Sequence, residues 1–100
     1  MIVIAAKFKL RPGKKDDFMN LAQSVIGPSR KEKGCVSYNL YSPVENPEAF
    51  MFFEEWADQD AFDAHLREPH FIEFADESKD MLEGDMDVNI YEAERKSLNE

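Results

Sequence analysis

Two histidines and several aromatic side chains are the residues of this chain whose types and spacing suit chemistry. His65 stands three residues after Phe62 and one before Leu66. In a helix, His65 and Phe62 share the face that packs inward. Because the ordinary pKa of histidine is near ~6.5, a neutral imidazole accepts a proton at neutral pH. His65 is therefore the first candidate for a general base; the alternative is a histidine paired with a carboxylate at the helix edge.

The second histidine follows a proline at the start of the next predicted helix. His70 comes directly after Pro69, which makes it the second candidate base or, alternatively, a residue that contacts the helix start. The two histidines do not have the spacing of three or four that shares one helical face, and Pro69 breaks the helix between them. We therefore expect no metal site. The chain also shows no glycine-rich phosphate loop.

Other polar and aromatic residues are candidates for binding a substrate. Trp56 closes a predicted strand, where its indole could stack on a planar ring and donate through N–H, or could simply fill the core. Tyr38 and Asn39 are adjacent in a strand, so they point to opposite faces and only one of them can see a given pocket. Asn39 would be the better donor to a phenolate; otherwise it is a polar residue of the sheet face. Arg30 could hold an anionic group at a pocket mouth or form a surface ion pair. Cys35 has no base or helix N-terminus to lower its pKa, so we interpret it as a small strand residue.

Hydrophobic periodicity predicts the elements that position these residues. Alternation over Ile2 to Arg11 predicts a strand that Pro12-Gly13 ends. From Lys14 onward the apolar residues follow a helical period, which Gly27-Pro28 should interrupt or bend before a short continuation to Gly34. Two more strands, 35–41 and 49–56, form an antiparallel hairpin.

The second half of the chain predicts two helices and a last strand. Asp58 offers an N-cap for the helix that carries His65. Pro69 starts another helix whose apolar face includes Phe71, Phe74, Ala75 and Leu82. Residues 86–91 alternate as a fourth strand.

This order of elements predicts an α+β fold of the ferredoxin-like, split βαβ type. Four antiparallel strands carry the helices on one face. We expect one domain over 1–100, with its core at about 2–92 and a tail at 93–100. Lys7, Lys9 and several large apolar groups of the hairpin would project from the other face, which therefore needs a second cover. A homodimer, in the form of a dimeric α+β barrel, would supply it.

Charge and composition disfavour several classes of partner. The net charge is −9, from 21 acidic and 12 basic residues, which repels nucleic acid and anionic lipid. The longest apolar run, Met1 to Ala6, is far short of the ~20 residues that span a bilayer. A single cysteine suits a reducing compartment, so we expect a cytoplasmic protein without nucleic-acid or membrane partners.

An ordered set of motifs extends the interpretation. The chain resembles the antibiotic biosynthesis monooxygenase-like domains, among them the quinol monooxygenases, over about Ile2 to Glu92. The segments that carry the resemblance are Lys9-Leu10-Arg11-Pro12-Gly13-Lys14, 29–38 (SRKEKGCVSY), Phe53-Glu54-Glu55-Trp56, 61–66 (AFDAHL) and Pro69-His70-Phe71.

The resemblance implies chemistry without a cofactor. A small electron-rich aromatic, such as a hydroquinone or anthrone, would lie between the sheet and the helices, lose a proton and pass an electron to molecular oxygen. It also supports His65 as base, and we include Phe52 and Phe62 among the candidate substrate-binding residues. Some monooxygenase members carry an asparagine where this chain has Phe52, so the antibiotic-pathway mechanism does not transfer as it stands.

Two other functions remain open at this point. One is isomerisation of a small carbonyl metabolite, in which the same histidine shuttles a proton and no oxygen is consumed. The other is a non-catalytic, stress-related module that binds a small molecule. Replacing His65 by alanine separates an enzyme, which loses turnover, from a binding module, which loses at most some affinity.

Overall fold

A computed structural model describes residues 1–99. Its elements run in the order β1 (Ile2–Lys9), α1 (Lys15–Arg30), β2 (Cys35–Tyr41), β3 (Ala49–Trp56), α2 (Gln59–Leu66), α3 (Pro69–Ser78), a 3-10 turn (Lys79–Met81) and β4 (Asp87–Glu92). The strands form one antiparallel sheet in the order β2-β3-β1-β4. This is the predicted α+β ferredoxin-like fold, with its four-stranded antiparallel sheet and the helices on one face.

The core lies between the sheet and the helices. Alternate residues of β1 and β3 point to it, and in register Ile4 pairs with Glu54 while Phe8 pairs with Phe50. Helix α1 supplies Phe18 and Val25. The described residues of this layer are buried because alternation in the strands and the helical period of α1 direct the same apolar set inward.

Helix α1 is continuous through Pro28, so the predicted interruption at Gly27-Pro28 is wrong. Pro28 removes one backbone bond, the one to the carbonyl of Ser24. Ser24 and Pro28 are both exposed, so water can bind the carbonyl of Ser24 in place of the missing N–H at little cost. The helix then ends at Arg30 rather than continuing toward Gly34, which lies just before β2 at φ +87°.

The last apolar residue assigned to α3 is misplaced in the sequence prediction. The sequence predicts Leu82 on the apolar face of this helix, but α3 ends at Ser78 and the 3-10 turn follows. Leu82 instead forms an isolated bridge to Leu10, just beyond β1. That bridge extends the line of the first strand by one pairing, which explains why alternation predicted a strand that runs past Lys9.

The two faces of the sheet differ in cover. On the face away from the helices, Ala5 pairs with Phe53 and Lys7 with Met51, and Phe53 and Met51 are only partly buried. The second face thus holds the mixture of lysines and apolar groups that the sequence predicts. Among the described residues, no helix is long and apolar enough to cross a membrane.

Candidate functional site

Helix α2 places His65 in the interior of the molecule. Asp58, in extended conformation, accepts a hydrogen bond from the backbone N–H of Ala61 at 2.8 Å and so caps the helix start. The helix then carries Phe62 and His65 on its buried face. His65 is only 1% exposed, which agrees with the inward orientation that the sequence predicts.

A glutamate from the turn before β2 joins the two histidines. Glu32 Oε2 lies 2.6 Å from Nδ1 of His65 and 2.8 Å from Nε2 of His70. Since an ionised carboxylate only accepts, each of these ring nitrogens must carry the proton that it donates. The second ring nitrogen of His70, Nδ1, lies 3.9 Å from Glu68 Oε2. We call Glu32, His65 and His70 the Glu–His–His cluster.

The paired-carboxylate alternative for His65 therefore describes its geometry, although the carboxylate comes from a distant turn. The sequence interpretation missed Glu32. Glu32 lies in a charged stretch, 33 residues before His65. It is one of 21 acidic residues in the chain, and nothing in its local sequence pattern sets it apart from the others.

The other nitrogen of His65 has no polar contact. Nε2 is buried and lacks a hydrogen-bond partner among the described residues. Aromatic rings surround the imidazole instead, with ring centroids 4.7 Å away for Trp56, 4.9 Å for Phe71 and 5.5 Å for Tyr38. The site is thus a buried imidazole whose one nitrogen is held by a carboxylate and whose other faces an aromatic wall.

Trp56 is part of that wall, but its indole N–H is already engaged. It donates to Glu54 Oε1 at 3.0 Å, and the tryptophan is fully buried. Trp56 can therefore still stack on a substrate ring, but its N–H is not free to donate to a substrate, because it donates to Glu54. Burial, together with the charge of Glu32, raises the pKa of Glu54 to about 7, although the Trp56 hydrogen bond acts in the opposite direction.

The strand β2 separates Tyr38 from Asn39. Tyr38 pairs with Glu54 and faces the helices, whereas Asn39 pairs with Phe53 on the opposite face. Arg30 donates to the carbonyl of Tyr38 at 3.0 Å and to Asn39 Oδ1 at 2.8 Å. Of the two neighbours, Tyr38 is thus the one beside His65, and Arg30 binds strand β2 instead of forming the expected surface ion pair.

The two phenylalanines assigned by resemblance lie in the core. Phe52 packs against Tyr38 at a centroid distance of 5.7 Å and against Phe74 at 5.6 Å. Phe62 lies 6.3 Å from Trp56 and 6.5 Å from His65. Both are buried, Phe62 as an outer ring of the wall and Phe52 one ring further from the imidazole.

Burial sets the protonation of the ionisable groups around this wall. It lowers the pKa of His65, although the hydrogen bond and charge of Glu32 act in the opposite direction, so the imidazole is neutral near pH 7. It raises the pKa of Tyr38 well above the usual range, so the phenol keeps its proton. It also raises the pKa of Cys35 to about 11, and a protonated thiol is a poor nucleophile.

The Glu–His–His cluster also offers metal-type donor atoms. Its two imidazole nitrogens and one carboxylate oxygen lie within 4.8 Å of one another. The spacing of His65 and His70 speaks against a shared site only if both lie in one helix. His65 and His70 instead belong to α2 and α3, and the short link between these helices brings both rings onto Glu32.

A large groove lies far from the Glu–His–His cluster. It has a volume of about 570 Å³, and Lys7, Lys9, Ala49, Met51 and Glu83 contribute to its lining. Trp56 pairs with Ile2 at one end of the sheet, whereas Lys9 pairs with Ala49 at the other. The groove and the Glu–His–His cluster are thus at opposite ends of the sheet.

Comparisons with known proteins agree on one family. The family model described as antibiotic biosynthesis monooxygenase matches residues 1–77. "Putative monooxygenase YcnE" of Bacillus subtilis is 35% identical over 88 residues, which cover 88% of this chain and 93% of that protein. An uncharacterized protein of Synechocystis sp. is 41% identical over 98 residues, covering 97% of this chain and 67% of its own length.

Solved structures give the same fold. A conserved protein from Methanosarcina mazei Go1 superposes with a TM-score of 0.89 at 38% identity, covering 93% of this chain and 92% of that one. A structure described as an antibiotic biosynthesis monooxygenase gives a TM-score of 0.87 at 26% identity, covering 95% and 100%. Fold and sequence thus indicate the same relatives.

Proposed function

This chain belongs to the antibiotic biosynthesis monooxygenase family, and on that premise we propose that it oxidises a small electron-rich aromatic of the quinol or anthrone type with molecular oxygen. No cofactor takes part in the proposed reaction. His65 acts as the base that removes the substrate proton.

The observation that carries the proposal is the unpartnered Nε2 of His65. Glu32 accepts from Nδ1 at 2.6 Å, which fixes the tautomer whose Nε2 lone pair is free. That lone pair is buried among aromatic rings. A base held in one tautomer by a carboxylate and facing an apolar wall suits proton removal from an aromatic substrate.

The proposed chemistry balances without an added reductant. Nε2 takes a proton from a phenol or from the carbon between two rings, and the resulting anion passes one electron to oxygen. Recombination of the two radicals gives a peroxide anion, which takes the proton back from Nε2 to form a hydroperoxide, and loss of water then leaves a carbonyl on the ring. One oxygen atom enters the product and the other leaves as water, while the substrate supplies all four electrons.

Phe71 is the proposed entrance to the base. The imidazole is closed in by fully or nearly fully buried rings of Trp56 and Tyr38, but Phe71 is only partly buried and lies in the first turn of α3. Rotation of the Phe71 ring would open a planar space between α3 and Trp56. Tyr38 keeps its phenolic proton, so beside His65 it serves as a donor for a phenolate and not as a second base.

Oxygen uptake tests the proposal directly. Metal-stripped protein is supplied with hydroquinones, naphthoquinols and anthrones, and uptake is compared with the uncatalysed rate. We expect wild-type turnover that falls at least 100-fold in His65→Ala and in His65→Gln, whose amide can still donate to Glu32. Arg67→Ala, an exposed change just after α2, is the matched control and should keep full activity.

A second candidate function rests on the same nitrogen. A Glu-oriented histidine can equally move a proton between carbon atoms next to a carbonyl, which isomerises a small carbonyl metabolite and consumes no oxygen. Incorporation of deuterium from solvent into such a substrate, under nitrogen, would favour this reaction. Absence of both oxygen uptake and deuterium incorporation would leave a small-molecule binding module.

A further inference from the structure

The Glu–His–His cluster has the donor set of a transition-metal site. Two imidazole nitrogens and one carboxylate oxygen, on three separate segments, meet within 4.8 Å. Zn²⁺ takes three such protein ligands and keeps a fourth position for water. We propose that Glu32, His65 and His70 bind a divalent transition-metal cation of the zinc type.

The distances show how little must move. Zinc bonds of about 2.0–2.2 Å at tetrahedral angles separate neighbouring ligand atoms by roughly 3.3 Å. The present separations from Glu32 Oε2 are 2.6 Å to His65 and 2.8 Å to His70. Retreat of the carboxylate by less than about 1 Å makes room for the cation. Glu32 lies in the turn between α1 and β2, so its carboxylate can retreat without moving α2 or α3. The two ring nitrogens, which lie within 4.8 Å of each other, must come to about the same 3.3 Å separation.

Cation binding requires both rings to move a proton. The rings now donate to Glu32 from Nδ1 of His65 and from Nε2 of His70. A metal needs these same nitrogens bare, so the protons must shift to Nε2 of His65 and Nδ1 of His70. At His70 a carboxylate lies nearby, since Glu68 Oε2 is 3.9 Å from Nδ1, just beyond hydrogen-bond distance. A carboxylate behind a metal-bound histidine is a recurrent second-shell arrangement that orients the ring.

Exposure gives the cation a route into the cluster. The side chains of His70 and Glu32 are 17% and 9% exposed, whereas that of His65 is 1% exposed. The cation therefore arrives at His70 and Glu32 and reaches His65 last. The net charge of −9 attracts cations to the molecule as a whole.

The bound cation would switch off the proposed base, a consequence that rests on the proposed function. Once Nδ1 of His65 binds metal, the ring proton lies on Nε2, which then can only donate. The nitrogen that accepts the substrate proton in the proposed oxidation is thus blocked. The proposed cation site itself does not depend on the proposed activity.

Binding to the metal-free full chain tests the site without a substrate. Zn²⁺ is followed by titration calorimetry and Co²⁺ by its visible absorption. We expect one saturable equivalent, and a rise in the unfolding midpoint that grows with free cation. Glu32→Gln and His70→Gln should each weaken binding at least tenfold. Cys35→Ser is the matched control, because the thiol of the single cysteine is a zinc-binding group outside the cluster, and the variant should bind as wild type does.

Three results would overturn the site: no saturable binding, wild-type affinity in both ligand variants, or loss of binding in Cys35→Ser. If Glu32→Gln does not fold, as judged by circular dichroism, the partly exposed His70→Gln carries the test. A separate experiment tests the proposed inhibition by the cation. Given turnover by the metal-free protein, we expect one equivalent of Zn²⁺ to abolish it, and unchanged turnover at a saturated site would refute the inhibition while leaving the site.

Discussion

The buried carboxyl of Glu54 is the least expected residue in the aromatic wall. It is 6% exposed, and it accepts a hydrogen bond from the indole N–H of Trp56 at 3.0 Å. In the sequence it is one of two neighbouring glutamates in a strand, and alternation alone marks it as inward. A sequence pattern identifies the face of such a residue but not its partner, because the partner is chosen by side-chain packing two residues along the same strand.

Glu54 should make stability depend on pH in an unusual direction. Its folded-state pKa of about 7 lies above the ordinary value of 4.5, so between these values the folded state binds more protons than the unfolded state. The free energy of unfolding should therefore fall as pH rises from 4.5 to about 7. The full effect is on the order of 3 kcal/mol.

Replacing Glu54 by glutamine should remove that dependence. Glu54→Gln keeps the shape and can still accept from Trp56, but it carries no charge at any pH. We expect the variant to exceed wild type in urea-unfolding free energy at pH 8 and to match it near pH 4.5. Glu55→Gln, on the opposite face of β3, is the control, and a pH profile that Glu54→Gln leaves unchanged would contradict the assignment.

At the scale of elements, the sequence predicts most of the fold. The bounds of β2 and β3 follow from alternation, and the cap at Asp58 places α2 within a residue or two. The course of α1 through Pro28 and the place of Leu82 do not follow, since water at an exposed carbonyl and a bridge to Leu10 decide them. The sequence does not predict the Glu–His–His cluster either. Its three residues come from a turn and two helices, and the packing of these segments, not the spacing along one helix, brings them together.

Gly34 shows how closely those elements approach. A Cβ at this position would lie 2.6 Å from Cβ of Ala61 in α2, and the backbone has φ +87°. Gly34→Ala therefore combines a steric clash with left-handed strain, and we expect a loss of about 2–5 kcal/mol in unfolding free energy.

The matched control for Gly34 is Gly84. It has φ +77° but no atom within 4 Å of the added Cβ, so Gly84→Ala should cost only the strain, about 1–2 kcal/mol. Chemical denaturation of both variants measures the difference. Equal losses of unfolding free energy in the two variants would mean that the close approach of α2 to the residue before β2 contributes nothing to the cost of Gly34→Ala.

For the whole molecule, the uncovered face of the sheet predicts self-association. Phe53 and Met51 lie there only partly buried, in register with Ala5 and Lys7. A second copy packed sheet to sheet would cover them, and we propose a homodimer on this ground. Light scattering at micromolar concentration should give twice the mass of 11.6 kDa.

A charge in the middle of that face should separate the two copies. Phe53→Lys is expected to give a folded monomer by light scattering and circular dichroism. Ile72→Lys places the same charge on α3, at a side chain that is 54% exposed, and should leave the mass unchanged. A wild-type monomer, or a Phe53→Lys dimer, would refute the proposed interface.

The start of β1 and the end of β4 meet. The backbone N–H of Ala93 donates to the carbonyl of Met1 at 2.9 Å, while the loop between β2 and β3 exposes Val44 almost completely. A short linker from Ala93 to Met1, in place of the residues after Ala93, could therefore join β4 to β1, and new termini could be opened at Val44 with every strand pairing kept. Such a circular permutant should fold to the same helical content, with β3 as its first strand, and could place a fusion partner at the far end of the sheet from the Glu–His–His cluster.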